Sequence, residues 1–166
     1  MCKIVLVVHN VRSALNVGSI LRTAEGLGVK KVYLSGYTPY PVAADDSRLA
    51  HHSLRTSRQI HKTALGAESL ISWQQVTDIM PIIDKLRSDG YMIAALEQTA
   101  NSRQLDSFHD DKDIALIVGN EVQGLERKVL EKSDVYLQIP MFGQKESFNV
   151  AVATGIALYH LRCFKR

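Results

Sequence analysis

The sequence predicts an α/β protein in which a mostly parallel sheet carries helices on both faces. Three observations lead to this prediction: short continuous apolar runs, helical periodicity between them, and glycine or proline where the pattern changes. Continuous apolar runs are typical of parallel strands, which are buried on both faces, and their alternation with helices indicates crossover units in one sheet. With 166 residues, 46% of them apolar, the chain can form one well-buried core. We therefore expect a single domain over residues 1–166.

The first half of the chain has clear strand and helix signals. Apolar runs predict strands over residues 3–8, 30–36 and 69–73. A helix is predicted over residues 14–28, where leucine and isoleucine recur at roughly helical spacing and Gly28 suits a helix end. Pro39 and Pro41 interrupt the pattern because proline cannot donate to a strand ladder. The polar segment 45–62 is undecided, and a solvated helix is its simplest interpretation.

The second half continues the alternation. Strands are predicted over residues 91–96, 114–119 and 135–140, and helices over residues 74–90, 125–130 and 148–164. The last of these helices is apolar almost all round. Such a helix must be buried on most sides, either by its own domain or by a partner subunit.

Charge and cysteine usage exclude few partners. Lys and Arg number 20 against 17 Asp and Glu, a net charge of +3, which neither demands nor excludes a nucleic acid. Cys2 and Cys163 have no disulfide-framework or zinc spacing, so a reducing cytoplasm is expected. His51, His52 and His61 also lack metal-binding spacing, and no apolar run reaches the roughly 18 residues of a membrane span. We expect neither a metal nor a membrane partner.

The loop after the 114–119 strand is a candidate ligand site, because ligands of parallel sheets bind beyond the carboxyl ends of strands. Its sequence, GNEVQGL, has neither the spacing of a phosphate loop nor that of a dinucleotide-binding motif. Gly119 would let the backbone approach a ligand closely, and Glu121 could accept a hydrogen bond from a ligand hydroxyl or amine. The alternative is an ordinary glycine-bearing turn.

Polar residues near the starts of two helices are further candidates. Asn16 is either a helix cap or a site residue. Arg22 either lies on a solvated face or provides a guanidinium fork for a phosphate, a geometry that lysine does not offer. Ser147 could cap the final helix, and Asn149 falls in its first turn. A loop that leads into a buried helix is held rigidly, as a preorganised site requires.

These candidates fall within three longer stretches. The stretches are NVRSALNVGSILRTAEGLGV at 10–29, ALIVGNEVQGL at 115–125 and IPMFGQKESFNVAVATGIALY at 139–159. In this order they resemble the three motifs of the SpoU (TrmH) branch of the SPOUT RNA methyltransferases, and the resemblance covers nearly the whole chain. Phe148 departs from the leucine or methionine that is frequent in the family, a change that should alter packing more than chemistry.

The resemblance implies an RNA ribose 2′-O-methyltransferase that uses S-adenosylmethionine and folds with a C-terminal trefoil knot. The residues that it assigns to the cofactor are Leu96, Gly119, Ile139, Ser147 and Phe148. By family position Arg22 is the catalytic candidate, and the residues that assist it are Asn16, Glu121, Ser147 and Asn149. A guanidinium is a poor proton acceptor. We therefore expect Arg22 to act as an electrostatic clamp through an adjacent phosphate, and the proton acceptor stays open.

The resemblance also implies two partners, an RNA and a second copy of the chain. Transfer RNA is the favoured substrate and ribosomal RNA is the alternative. No separate RNA-binding domain is expected, so the candidate phosphate contacts are Arg48, Arg55, Arg58 and Lys62. A homodimer is expected to form through the final helix, where small residues would allow another helix to approach: Ala151, Ala153, Gly155 and Ala157.

Two other functional classes stay open. A catalytically silent knotted RNA-binding module would share the fold, but it would have no need of all the polar residues assigned to the site. An unrelated nucleotide-binding α/β protein is disfavoured because both phosphate-loop signatures are absent from the sequence.

Overall fold

A computed structural model of the chain describes residues 2–43 and 46–164. Over these residues the strands are β1 (Ile4–His9), β2 (Lys31–Ser35), β3 (Trp73–Val76), β4 (Met92–Leu96), β5 (Arg103–Gln104), β6 (Ile114–Val118) and β7 (Val135–Gln138). The helices are α1 (Ala14–Gly26), α2 (Ala50–Ala64), α3 (Met80–Ser88), α4 (Arg127–Glu131) and α5 (Val150–Cys163). The strands form one sheet in the order β3-β2-β1-β6-β4-β7-β5, and every pair in it is parallel.

Side chains of the central strands alternate between two hydrophobic cores. In β1, Ile4, Leu6 and Val8 contribute to the core that α1, α2 and α5 cover. Val5 and Val7 point to the opposite core, which α3 and α4 cover. All residues of β1 are buried, as expected of a strand in the middle of a parallel sheet. The predicted α/β class, with helices on both faces, is therefore confirmed.

The region around β3 differs from the prediction. The apolar run at residues 69–73 predicts a strand there, but Ala67–Ser69 forms a 3₁₀ turn and the strand begins at Trp73. The helix expected over residues 74–90 begins only at Met80. Residues 73–76 pair with β2 at one end of the sheet, and an edge strand can keep polar glutamines because it has only one neighbour. Local apolar content could not reveal that pairing.

Helix α2 occupies most of the undecided polar segment, and it is fixed against α1. Asp45, at the start of that segment, lies outside the described residues. A Cβ at Gly18 would overlap the carbonyl oxygen of Ile60 and the hydroxyl of Thr63, so only glycine allows the two helices to approach this closely. The Thr63 hydroxyl also donates a hydrogen bond to the carbonyl of Leu15 at 2.8 Å. The helices α1 and α2 therefore form a closely packed pair on one face of the sheet.

Within residues 2–43 and 46–164, no helix combines the length and the apolar content needed to span a membrane.

Candidate functional site

A cleft of about 310 Å³ lies at the carboxyl ends of β4, β6 and β7. The residues assigned to the cofactor from the sequence all line it: Leu96, Gly119, Ile139, Ser147 and Phe148. Residues 146–148, which follow β7, thus lie against the loops that follow β4 and β6. This return of the chain toward earlier loops is consistent with the knotted arrangement that the sequence leads us to expect.

A line of hydrogen bonds joins the three sequence motifs at the cleft. The side-chain amide of Asn16 donates to Glu121 Oε1 at 3.0 Å. The side-chain amide of Asn149 donates to Asn16 Oδ1 at 3.2 Å. Asn16 therefore connects the loop after β6 with the start of α5, and the structure brings these predicted site residues into direct contact.

The carboxylate of Glu121 is engaged by the protein itself. Besides Asn16, it accepts hydrogen bonds from the backbone amides of Arg12 at 3.1 Å and Ser13 at 3.4 Å. Burial acts most strongly on the pKa of Glu121 and would raise it, but a hydrogen bond from its own backbone amide and those from Arg12, Asn16 and Ser13 together outweigh burial and lower the pKa below its ordinary value. Glu121 is thus a charged carboxylate that fixes the start of α1, and its lowered pKa makes it a poor proton acceptor.

The caps of the two site helices differ from those considered from the sequence. Ser13, and not Asn16, caps α1 by accepting a hydrogen bond from the Asn16 backbone amide at 3.2 Å. Asn149, and not Ser147, caps α5 by accepting from the Ala151 amide at 2.9 Å. The side chain of Asn16 is thereby available to bridge the motifs, and Ser147 is exposed at the cleft.

Gly119 is required by packing within the loop after β6. A Cβ at this position would lie 2.8 Å from the carbonyl oxygen of Gly124 and 2.8 Å from the side chain of Leu125. From the sequence, a side chain here is expected to obstruct the cofactor. The structure adds an intramolecular reason, because a larger residue would displace Gly124 and Leu125 before it met any ligand.

The side chain of Asn120 fixes the loop after β6 through hydrogen bonds. Its side-chain amide donates to the Tyr37 hydroxyl at 2.8 Å and to the Asn10 carbonyl at 3.0 Å. Its oxygen accepts from the amides of Val122 at 2.8 Å and Gln123 at 2.9 Å. The loop is therefore fixed before any ligand binds, which reduces the ordering cost of binding.

Glu97 is a cleft residue that sequence reasoning missed. It follows β4, lines the cleft, and accepts a hydrogen bond from the Leu125 amide at 2.7 Å and one from the Gln98 amide at 3.1 Å. Gly124 has a φ of 68°, and a Cβ there would overlap the Glu97 carboxylate. The available signal was an acid directly after a predicted strand, at the edge of the sheet where ligands bind.

Arg22 is not at the cleft of its own chain. It is exposed on α1 and does not line the cleft. Across the described parts of the chain, its guanidinium has no partner in a hydrogen bond or an ion pair. The structure therefore separates the predicted catalytic residue from the other site residues within one subunit.

The four basic residues expected to contact RNA divide into two groups. The Arg48 guanidinium pairs with Asp46 at 2.6 Å, donates to the carbonyls of Tyr40 and Pro41, and lies 3.5 Å from the centre of the Tyr40 ring. The hydrogen bond to Asp46 raises the pKa of Arg48, and it lowers the pKa of Asp46. Arg48 is thus engaged in fixing the segment before α2, whereas the residues that stay exposed are Arg55, Arg58 and Lys62.

The outer face of α5, together with Phe148 just before it, exposes an apolar stripe. Its residues and their exposed fractions are Phe148 at 40%, Val152 at 51%, Ile156 at 38% and Tyr159 at 54%. Of the small residues expected at a dimer contact, Ala157 is fully buried. Ala151, Ala153 and Gly155 are half-buried, and a Cβ at Gly155 would lie 3.5 Å from Thr23 of α1. The exposed stripe thus consists of large side chains.

An apolar groove of about 590 Å³ runs beside this stripe. Phe142, Ile156 and Tyr159 line the groove, and Ile139 and Phe148 line both the groove and the cleft. Any molecule that covers the groove would therefore lie next to the cleft. Among residues 2–43 and 46–164, no group of three or more His, Cys, Asp or Glu side chains is arranged to hold a metal ion.

Comparison with known proteins gives a consistent assignment. Residues 3–159 match the family described as the SpoU rRNA Methylase family. A Staphylococcus aureus protein assigned to the TrmH family of tRNA/rRNA methyltransferases is 29% identical over 157 residues, covering 95% of this chain and 57% of the relative. This chain thus spans a little over half the length of the curated relatives it matches.

Solved structures agree with that assignment. The AdoMet-bound rRNA methyltransferase from Sinorhizobium meliloti has a TM-score of 0.78 at 26% identity, over 95% of this chain and 55% of that one. The TrmH/SpoU tRNA modifying enzyme of A. aeolicus has a TM-score of 0.78 at 24% identity, over 96% of this chain and 74% of that one. The second likeness supports the fold alone.

Proposed function

Because the chain belongs to the SpoU methylase family, we propose that it is an S-adenosylmethionine-dependent methyltransferase that modifies a ribose 2′-oxygen of RNA. The observation that carries this proposal is the hydrogen-bonded line from Glu121 through Asn16 to Asn149 beside the cleft. Transfer RNA is the favoured substrate, and ribosomal RNA is the alternative. The curated relatives, which are named as tRNA/rRNA methyltransferases, are compatible with both. Because the proposed substrate is an RNA, we also propose that the protein is located in the cytoplasm.

The cleft suits S-adenosylmethionine in size and lining. Its volume of about 310 Å³ falls at the lower end of the range for small-molecule sites. The apolar side chains of Leu96, Ile139 and Phe148 stand beside the backbone of Gly119 and the hydroxyl of Ser147, a combination that matches a ligand with an apolar ring and polar substituents. These residues would hold the cofactor. When bound, it supplies a methyl group that is already activated for transfer to an oxygen.

The protein then has to orient a ribose hydroxyl and stabilise the charge that develops on it. Asn16, Glu121 and Asn149 fix the relative positions of three loops, and such positioning can supply a large part of the barrier reduction. The Glu121 carboxylate is occupied by hydrogen bonds and has a lowered pKa, so we assign it a positioning role. Arg22 would hold the phosphate next to the reacting ribose and favour ionisation of the hydroxyl.

A homodimer would bring Arg22 to the cleft. Within one subunit Arg22 does not line the cleft, while the apolar stripe of α5 is exposed beside the cleft. Exposed apolar surface of this kind marks interaction sites in soluble proteins. We propose that the partner subunit covers the stripe and the adjoining groove, and that each active site uses Arg22 of the opposite subunit.

Glu97 is expected to determine how well the cleft holds the cofactor. Glu97→Ala removes the acceptor of the Leu125 amide, and a hydrogen bond to a charged group contributes roughly 1.5–3 kcal/mol, so the Kd for S-adenosylmethionine should rise about 10-fold. Glu97→Gln keeps one oxygen and should lose less. Calorimetric titration measures both. Glu131→Ala is the matched control because Glu131 is an exposed acid outside the cleft lining, and an unchanged Kd for folded Glu97→Ala would contradict the prediction.

Methyl transfer from labelled S-adenosylmethionine into total RNA tests the proposed function. We expect the label in a 2′-O-methylated nucleoside at a defined position of a tRNA, identified by nucleoside analysis and site mapping. A synthetic RNA with a 2′-deoxy nucleotide at that position is the control and should accept no label. Label in ribosomal RNA would select the alternative substrate, label on a base would refute ribose methylation, and cofactor binding without any transfer would favour the silent RNA-binding module.

A further inference from the structure

We propose that the exposed face of α2 binds the sugar-phosphate backbone of a double-helical stem in the RNA substrate. The inference rests on the proposed RNA methyltransferase function and extends it to the kind of RNA that the protein recognises. It concerns a surface that we call the basic stripe, which consists of His51, Arg55, Arg58 and Lys62.

The basic stripe follows one side of the helix. Its positions are separated by four, three and four residues, which places them above one another on successive turns. All four side chains are exposed, and they line one shallow groove together with Leu54 and Gln59. Helix α2 contains no Asp or Glu, so no acid on the helix itself neutralises the stripe.

Seven of the basic side chains outside α2 are already paired. Ion pairs with carboxylates engage Lys3, Arg48, Lys85, Arg87, Arg127, Lys128 and Lys132. Within residues 2–43 and 46–164, no ion pair engages Arg55, Arg58 or Lys62. The modest net charge of +3 therefore conceals a local concentration of unpaired positive charge on α2, which is the electrostatic feature that a phosphate backbone requires.

The length of the stripe matches a run of phosphates. From Arg55 to Lys62, which bound the arginine and lysine part of the stripe, the helix rises by about 10 Å, at ~1.5 Å per residue. Each strand of B-form DNA carries one phosphate per ~3.4 Å of helix axis, and the phosphates of an RNA stem lie at a comparable or shorter spacing. A straight row of cations of this length can contact several phosphates of one strand without reading any base.

The composition of α2 favours a helical stem over a single strand. Proteins that bind single strands present aromatic platforms on which bases stack, whereas α2 has no Phe, Tyr or Trp and its aromatic rings are the small imidazoles of three histidines. Double-stranded RNA is recognised by its shape and by contacts to phosphates and 2′-hydroxyls. Gln59, which lies in the same groove as the arginines, offers a side-chain amide for such contacts.

The packing of α2 connects the stripe to the active site. Helix α2 is fixed to α1 through Gly18 and through the hydrogen bond from Thr63 to Leu15. Helix α1 also carries Asn16, which belongs to the hydrogen-bonded line beside the cleft. A stem that lies along α2 would thus be held by a rigid pair of helices, and one of them, α1, carries a residue of the site.

The experiment compares two double variants that each remove two positive charges. Arg55→Gln/Arg58→Gln alters the stripe. Lys30→Gln/Lys112→Gln is the matched control, because both lysines are exposed and shortly precede β2 and β6, at the edge of the sheet opposite the cleft. Binding to the mapped substrate stem, and to a single strand of the same composition, is measured over a range of salt concentrations. Cofactor affinity and steady-state methyl transfer are measured in parallel.

The stripe variant should bind the stem more weakly, and its salt dependence (the slope of log K against log salt) should fall by about 0.9 for each phosphate that the protein no longer neutralises. Its KM for RNA should rise about 10-fold or more, as expected when two phosphates are left without a cation, while kcat and cofactor affinity stay unchanged. The control should behave as wild type. An unchanged slope on the stem, or a weakening confined to the single strand, would overturn this inference and leave the methyltransferase standing. A wild-type protein that binds cofactor but transfers no methyl group to any RNA would overturn both.

Discussion

Replacing Arg22 with alanine is expected to slow methyl transfer about 100-fold or more, the typical loss when one charge-stabilising donor is removed from an active site. Cofactor affinity should stay within about twofold of wild type, because the charge stabilisation assigned to Arg22 acts in the transition state and not in cofactor binding. Arg22 does not line the cleft of its own chain. Single-turnover rates and calorimetric titration separate the two quantities.

The lysine variant makes this prediction specific. Arg22→Lys keeps the charge but loses the planar fork that holds two phosphate oxygens, so most of the turnover should still be lost. Glu25→Gln is the control, because Glu25 is also exposed on α1 and is one turn away. A lysine variant with the wild-type single-turnover rate would mean that charge alone suffices. An alanine variant with that rate would remove Arg22 from the mechanism.

Mixed dimers of two inactive chains are expected to recover up to about half of the wild-type activity, because one of the two symmetry-related sites would be competent. One chain carries Arg22→Ala and keeps its cleft. The other carries Ser147→Trp, which should fill the cleft from the exposed loop and leave Arg22 intact. If each site combines the cleft of one subunit with Arg22 of the other, one site per mixed dimer retains both.

Ser147→Trp is preferred over a large residue at Gly119 as the cofactor-free chain. A side chain at Gly119 would collide with Gly124 and Leu125, so a loss of binding there could reflect a displaced loop. The mixed dimers are purified through two different tags, and each homodimer is assayed alone. No recovery in verified mixed dimers would place each whole site within one chain, and a fully active monomer in light scattering would refute the dimer.

The edge of the sheet that carries the site could be predicted from the order of strands and loops, whereas Leu96 and Ile139 are assigned to it only by the resemblance to the SpoU branch. Leu96 and Gly119 each end or follow a buried apolar run, and Ile139 follows another. In a parallel sheet the carboxyl ends of all strands meet at one edge, so residues that follow the runs must gather there. The observed cleft contains all three.

The roles within the site could not be predicted in the same way. Glu121 lines the cleft, but the sequence did not reveal that its partners are the backbone of the loop before α1 and Asn16, which is 105 residues away. Asn16 and Asn149 are separated by 133 residues. Periodicity and local motifs report which face of an element is buried, but they carry no information on which distant polar group will lie opposite.

The same distinction applies to the surface of the protein. The sequence by itself determined the α/β class, the apolar strands, the basic character of α2 and the apolar character of α5, because these follow from residue type and spacing. Only the tertiary structure decided that Arg48 is bound to Asp46 while Arg55 and Arg58 stay exposed, and that α5 buries Ala157 and exposes Ile156. Burial and pairing depend on the elements that pack against each side chain, and that packing is a property of the whole fold.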